Sequence, residues 1–199
     1  MRLDDLVPTW DAARIEHRVV DAPRHAAFEA ARALDFLDVP REIPAVRSLF
    51  AVRAAGERTV AAVRRRSPET SEDPATMRLG DLGPEGEWVG LGETPDQEIT
   101  FGAIGRFWAG ETVWRSITAD DFATFAEPGC ARIGCNLSFR EYGPRTLVSY
   151  EARTSATDDV ARTAFLRYWR VVGPFVGVVM RGTLRLLDRT LAAEARRGA

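Results

Sequence analysis

The chain contains no lysine: all 27 of its basic residues are arginine, set against 29 acidic ones for a net charge of −2. Replacement of one residue type so uniformly reads as coding bias rather than function. The arginines alternate with Asp and Glu along the whole length. The one basic run, Arg64-Arg65-Arg66, stands beside Glu69, Glu72 and Asp73. A basic face of the kind that tracks nucleic acid is missing, so no nucleic-acid partner is expected.

Histidine and cysteine are nearly as scarce. His17 and His25 are the only histidines, and no His-x-x-His or Cys-x-x-Cys spacing occurs. Convergent ligands for a metal are therefore lacking, and no metal or cofactor is expected. Cys130 and Cys135, five residues apart on what reads as one strand, would point to opposite faces. A disulfide between them is geometrically poor, which suits two buried thiols in a reducing, cytoplasmic setting. The longest apolar run, Val171 to Met180, is interrupted by Gly173, Pro174 and Gly177 and is too short to span a membrane. Met1 to Trp10 carries Asp4 and Asp5 and lacks a basic start followed by an apolar stretch, so it does not read as a secretory signal. There is no GxGxxG, no P-loop and no nucleophile elbow around Ser138 or Ser149.

What is present suffices for a core: 45% of the 199 residues are hydrophobic and 28% charged. Residues 1–12 read as a loose N-terminal arm and 13–195 as a single domain. Ala13 to Asp21 alternates as a half-buried strand, with Ile15, His17 and Val19 on one face and Arg14, Glu16 and Arg18 on the other. Pro23 opens a helix reaching about Leu34. Pro44 to Ala54 reads as a second helix, while Thr59 to Arg66 fits a short helix or a strand equally. Ser67 to Gly86, rich in Pro and Gly, is a long loop of the kind that often forms a lid or binding rim.

From Glu87 the period changes to two. Strands are expected over Glu87–Thr94, Glu98–Trp108 and Thr112–Ile117, then a short helix from Thr118 to Glu127. Two long strands follow, Cys130–Glu141 and Arg145–Thr154, joined at Tyr142-Gly143-Pro144. Thr157-Asp158-Asp159 then caps a long helix whose buried stripe runs Phe165, Trp169, Val172, Val176, Val179 or Met180, Thr183, Leu187, Leu191. Gly173-Pro174 should kink it. The fold class is α+β: a curved antiparallel sheet wrapped around a long C-terminal helix.

Three stretches resemble the START-like superfamily, also called the Bet v 1-like or SRPBCC group. They are Arg18-Val19-Val20-Asp21-Ala22-Pro23 through Phe28, Gly105-Arg106-Phe107-Trp108, and Tyr150-Glu151-Ala152-Arg153 through Thr157-Asp158 to Trp169-Arg170. The resemblance covers about residues 13–195 in element order and implies a helix-grip fold. The group includes lipid and hormone carriers, polyketide cyclases and aromatases, oxygenase subunits and chaperone partners. The oxygenase pattern of two His and one carboxylate cannot be mapped onto this chain.

Such a fold leaves space between sheet and helix, and a few polar groups would converge there. The candidate ligand-contacting residues are His17, Arg106, Trp108, Asn136, Tyr150, Phe165 and Trp169. His17 is read as pointing inward. Arg106 is either a buried cation on the concave face or a surface residue paired with Glu. The expected function is binding of a small hydrophobic or aromatic molecule. A cyclase or aromatase acting through Arg106, Tyr150 or His17 is the enzymatic alternative. A protein-interaction module with a self-filled interior and an exposed apolar patch is the third.

Overall fold

The structure is a computed structural model and describes residues 1–42, 77–108 and 112–198. The helix expected at 44–54, the segment 59–66 and the first part of the 67–86 loop lie outside the described residues. Six antiparallel strands form the main sheet: β1 (Ala12–Val20), β3 (Trp88–Thr94), β4 (Glu98–Arg106), β5 (Val113–Arg115), β7 (Ala131–Tyr142) and β8 (Arg145–Ala156). Their order is β1-β8-β7-β4-β3, with β5 paired to β4. A small second ribbon pairs β2 (Glu85–Gly86) with β6 (Ile117–Thr118). Helices α1 (Arg2–Leu6), α2 (Arg24–Ala33), α3 (Asp38–Glu42) and α4 (Asp159–Gly198) complete the α+β architecture, a helix-grip-like arrangement in which α4 packs on the sheet.

The β7–β8 hairpin is the backbone of the sheet. Tyr142 pairs with Arg145 across Gly143-Pro144, and Gly143 takes the left-handed conformation the tight turn needs, φ 63°. Directly opposed residues share a face. Cys135, Leu137 and Phe139 of β7 therefore lie with Val148, Tyr150 and Ala152 of β8 and with Ile99 and Phe101 of β4. This inner face, with Phe28 from α2 and Met180, Leu184 and Leu187 from α4, is the main core. Each such side chain removed from water stabilises by about 1.5–3 kcal/mol before entropy costs.

Helix α4 starts as its sequence implies. The Asp158 carboxylate accepts the N–H of Ala161 at 2.8 Å and, with its other oxygen, the N–H of Gly129 at 2.5 Å. Of the expected stripe, Phe165, Thr183, Leu187 and Leu191 are buried, and Met180 rather than Val179 faces the core. The helix runs unbroken through Pro174. Gly173 lies under the Trp169 indole, where a Cβ would come within 3.0 Å of the ring. Among the described residues no helix is long and apolar enough to cross a membrane.

Three expectations change. Where a helix is expected over 118–127, Thr118 ends β6 and residues 119–124 form turns: Thr118 Oγ1 donates to Asp121 at 2.6 Å, and the turn drops Phe122 into a fully buried position. The first residues are not loose. Helix α1 places Leu3, with Val7 just beyond it, fully buried on the outer sheet face beside Val89, Leu91, Ile104 and Phe122. Room exists because the opposed pair Gly102 and Gly134 carries no side chains; a Cβ on Gly134 would meet Leu3 at 2.7 Å and Val7 at 2.8 Å.

The third change is the facing of β1. Register pairs Glu16 with Tyr150 and Arg18 with Val148, so the charged row of β1 faces inward and His17 faces outward opposite Ser149. The charges are tolerated because α4 answers them. Arg14 and Arg181 both donate to Glu16 Oε1 at 2.6 Å, and Arg18 donates to Asp188 at 2.6 Å.

Candidate functional site

The inner face carries a connected set of rings. Phe36, just after α2, packs edge-on against Phe101 (5.7 Å between centroids) and Tyr150 (6.3 Å). Trp88 links Phe101 to Trp114 at 6.1 and 5.7 Å. From Trp114 the chain of contacts continues through Phe107 and Phe165 to Trp169. Offset and edge-on geometries of this kind add to the burial energy of each ring.

Tyr150 and Cys135 are the polar groups within this set. Both are buried in the main core cluster. Burial pushes the Cys135 thiol up to about 12, and burial beside Cys135 pushes Tyr150 well above the usual phenol range. Near neutral pH neither group is ionised. Cys135 is no thiolate nucleophile, and Tyr150 holds its proton too tightly for efficient acid–base work.

Among the described residues, one open space lies at the free edge of the sheet. A cleft of about 320 Å³ is walled by Leu79, Leu82 and Pro84 on one side and by Gly90, Gly92 and Glu93 of β3 on the other; Ile99 and Phe101 line it too. Three features shape it. A turn of 3-10 helix at Leu79–Asp81 brings the apolar side chains of Leu79 and Leu82 toward the sheet. The β3–β4 register shifts between Gly90 and Gly92, a bulge of the sort that re-aims a strand beside a site. Gly90 donates to the Gly83 carbonyl at 2.9 Å, and a Cβ on Gly90 would come within 3.0 Å of the Leu82 carbonyl oxygen. Arg32 of α2 also lines the cleft, with its Nε 3.2 Å from Glu93 Oε2 and its Nη1 3.7 Å from Glu29. The Nε–H is buried and has no aligned hydrogen-bond acceptor.

No family model matches the chain, and no curated protein does. Solved structures similar to it include two from bacteria. TTHA0849 from Thermus thermophilus is 9% identical, with 92% of this chain and 99% of that one covered, at a TM-score of 0.37. CalU16 from Micromonospora echinospora is 14% identical, with 92% and 84% covered, at a TM-score of 0.30. Likenesses at this level carry no argument about function, so the reading below rests on the chain's own geometry.

The residues singled out from sequence do not come together in one place. Tyr150 sits in the inner ring set. Phe165 is fully buried, and half-buried Trp108 and Trp169 pack against it at 6.1 and 5.7 Å. Arg106 is exposed at the end of β4. His17 is exposed on the outer face, its Nδ1 2.8 Å from Ser149 Oγ, because register with β8 rather than its apolar neighbours sets its direction. Asn136 is fully buried but also on the outer face, opposite Thr100. Its Nδ2 donates to Thr100 Oγ1 at 2.9 Å and Glu98 Oε2 at 3.0 Å. Glu98 in turn accepts the Arg2 N–H at 3.1 Å, so Asn136 supports the α1 docking site. Arg32, Glu93, Leu79 and Leu82 were missed. The glycine spacing at 80, 83, 90 and 92 was the available signal, since glycine recurring across a loop and the next strand marks close backbone approach.

Among the described residues no three His, Cys, Asp or Glu side chains converge as metal ligands do.

Proposed function

We propose that this protein is a START-like binding protein for a small, largely apolar or aromatic organic molecule, taken up in the cleft between β3–β4 and the Leu79–Pro84 segment. The observation that carries this is the cleft itself: about 320 Å³ in volume, with Ile99 and Phe101 of the main core in its lining. That size falls at the lower end of the range for small-molecule sites, roughly 300–1,000 Å³. Burial of ligand surface against Leu79, Leu82, Ile99 and Phe101 drives uptake, at about 25 cal/mol per Å² before the entropy of association is subtracted. Binding is favoured over catalysis because burial raises both Tyr150 and Cys135, which therefore hold their protons near neutral pH. The cyclase alternative needs a charged or basic partner for Tyr150, and both of its other named residues, His17 and Arg106, are exposed.

One observation favours a second reading. Val171 and Phe175, one turn apart on α4, are 66% and 42% exposed, which suits an interaction module. Native mass spectrometry of the purified protein, followed by denaturing extraction and a thermal-shift panel of apolar compounds, separates the two. A co-purified small molecule, or stabilisation that is lost in Leu82→Trp, supports the cleft. An empty protein with no shift in any compound overturns it and leaves the interaction module.

A further inference from the structure

The solvent side of α4 shares no residue with the cleft and carries an inference of its own: we infer that it is a docking surface for an anionic phospholipid bilayer. Residues three or four apart recur along one side of a helix. On α4 that side runs Val160, Arg167, Val171, Phe175, Arg185 and Arg189, every one of them exposed. Val160 is 81% exposed, Val171 66% and Phe175 42%, so apolar surface recurs along a line interspersed with guanidinium groups. The charge on this side is of one sign. No Asp or Glu occurs between Asp159 and Asp188, and those two are met by Arg162 and Arg18. Arg181 is likewise paired, with Glu16, whereas among the described residues no carboxylate pairs with Arg167, Arg185 or Arg189.

Shape and charge favour a bilayer over a protein partner. The side is the convex flank of one helix with three protruding apolar side chains, where a specific protein interface takes roughly 20–30 residues from each partner. A lipid surface is planar and needs no groove. It meets a helical line of about 43 Å, the span from Val160 to Arg189 at 1.5 Å per residue, along its whole length. Its phosphates accept paired N–H donors from guanidinium groups, and Val160, Val171 and Phe175 leave water at the headgroup boundary. The chain as a whole carries a net charge of −2, so an anionic surface repels the rest of the molecule and selects this side.

The test is co-sedimentation of the full chain with vesicles of equal parts phosphatidylglycerol and phosphatidylcholine, beside vesicles of phosphatidylcholine alone. Binding to the anionic vesicles is expected, weakening as salt is added, with little binding to the neutral ones. An arginine at an anionic surface is worth about fivefold, so Arg167→Gln combined with Arg185→Gln should lower the partition about 25-fold. Phe175→Ser should lower it about tenfold through the lost apolar contact. All three positions are exposed, so the urea midpoint should stay near that of the unmodified chain, and the salt series on the unmodified chain stands as the check if a variant folds poorly. No binding to anionic vesicles at low salt, equal binding to both kinds, or binding unchanged in both variants overturns the inference and leaves the cleft untouched. Binding of poly-glutamate that the same variants abolish, without vesicle binding, overturns it in favour of an acidic protein partner. Vesicle binding lost in Leu82→Trp but kept in the α4 variants overturns it too, since lipid would then be entering the cleft.

Discussion

Replacing Leu3 with alanine tests whether the first residues belong to the folded unit. Leu3 is fully buried, with its Cδ1 lying where a Gly134 side chain would start, and shares its cluster with Val7, Leu91 and Phe122. Loss of three carbons from a site with no room to collapse costs about 2–5 kcal/mol in a rigid core. Helix α1 is only five residues long and lies at the chain start, so undocking limits the cost to what α1 contributes in total. That contribution includes more than Leu3. Asp4 meets Arg153 at 2.8 Å, and the Arg153 guanidinium also lies 4.2 Å from the Trp10 ring and donates to the Val7 carbonyl. We therefore expect about 2–3 kcal/mol, read as a lower midpoint in urea denaturation. The urea dependence should be unchanged if unfolding stays two-state, or reduced if α1 is already released in the native state. A change below about 0.5 kcal/mol, the range of ordinary surface substitutions, would mean that residues 1–12 are a loose arm after all.

Further outcomes follow from the same geometry. Glu16→Ala leaves Arg14 and Arg181 facing each other without their shared carboxylate. Because both arginines are more than a third exposed, the loss should be only about 1 kcal/mol and should shrink as salt is added, as followed by thermal melting in a salt series. Cys135, held at about 12, should resist a thiol reagent at mildly alkaline pH in the native state and react on unfolding; rapid native labelling would contradict its burial. The N–H groups of Ala161 and Gly129 hold the Asp158 carboxyl below its ordinary value of 3.8, so its folded-state pKa is depressed. Its stabilising effect is thus fully present above pH 3.8 and lost as pH falls through the lower folded value. Asp158→Asn should flatten that acid limb in a pH series of melts and change little in the dependence at neutral pH.

The long elements were legible and the faces of the edge strand were not. The strands β7 and β8 and the helix α4 announce themselves because each has a neighbour on both sides or a whole buried stripe, so periodicity and burial agree. Strand β1 pairs on one side only, with β8. There Ile15 and His17 look like the buried row, yet Ile15 is 46% exposed while Arg14, Glu16 and Arg18 turn toward α4. What reverses the pattern is a set of ion pairs to Arg181 and Asp188, more than 160 residues away in the chain. No local reading contains that information. Helix α1 was hidden for a related reason: its seat is the bare backbone of Gly102 and Gly134, and an absent side chain leaves no hydrophobic signal.

The candidate site divides along the same line. The rings of the inner face were visible because aromatic residues cluster in strands and in α4, and Tyr150, Phe165 and Trp169 are found among them. A well-packed ring set is, however, already occupied by its own members: Phe36 sits against both Phe101 and Tyr150, where a ligand would otherwise stack. Space remains where side chains are missing, and that is where Gly80, Gly90 and Gly92 lie, with a β-bulge between the last two. The ion pair beside that space, Arg32 with Glu93, comes from a helix and an edge strand that meet only through the fold. Richness in aromatic residues thus located the core. The site is set by the gaps in the pattern, and a substitution that fills one, such as Gly90→Val, should close the cleft against the Leu82 carbonyl while leaving the ring set intact.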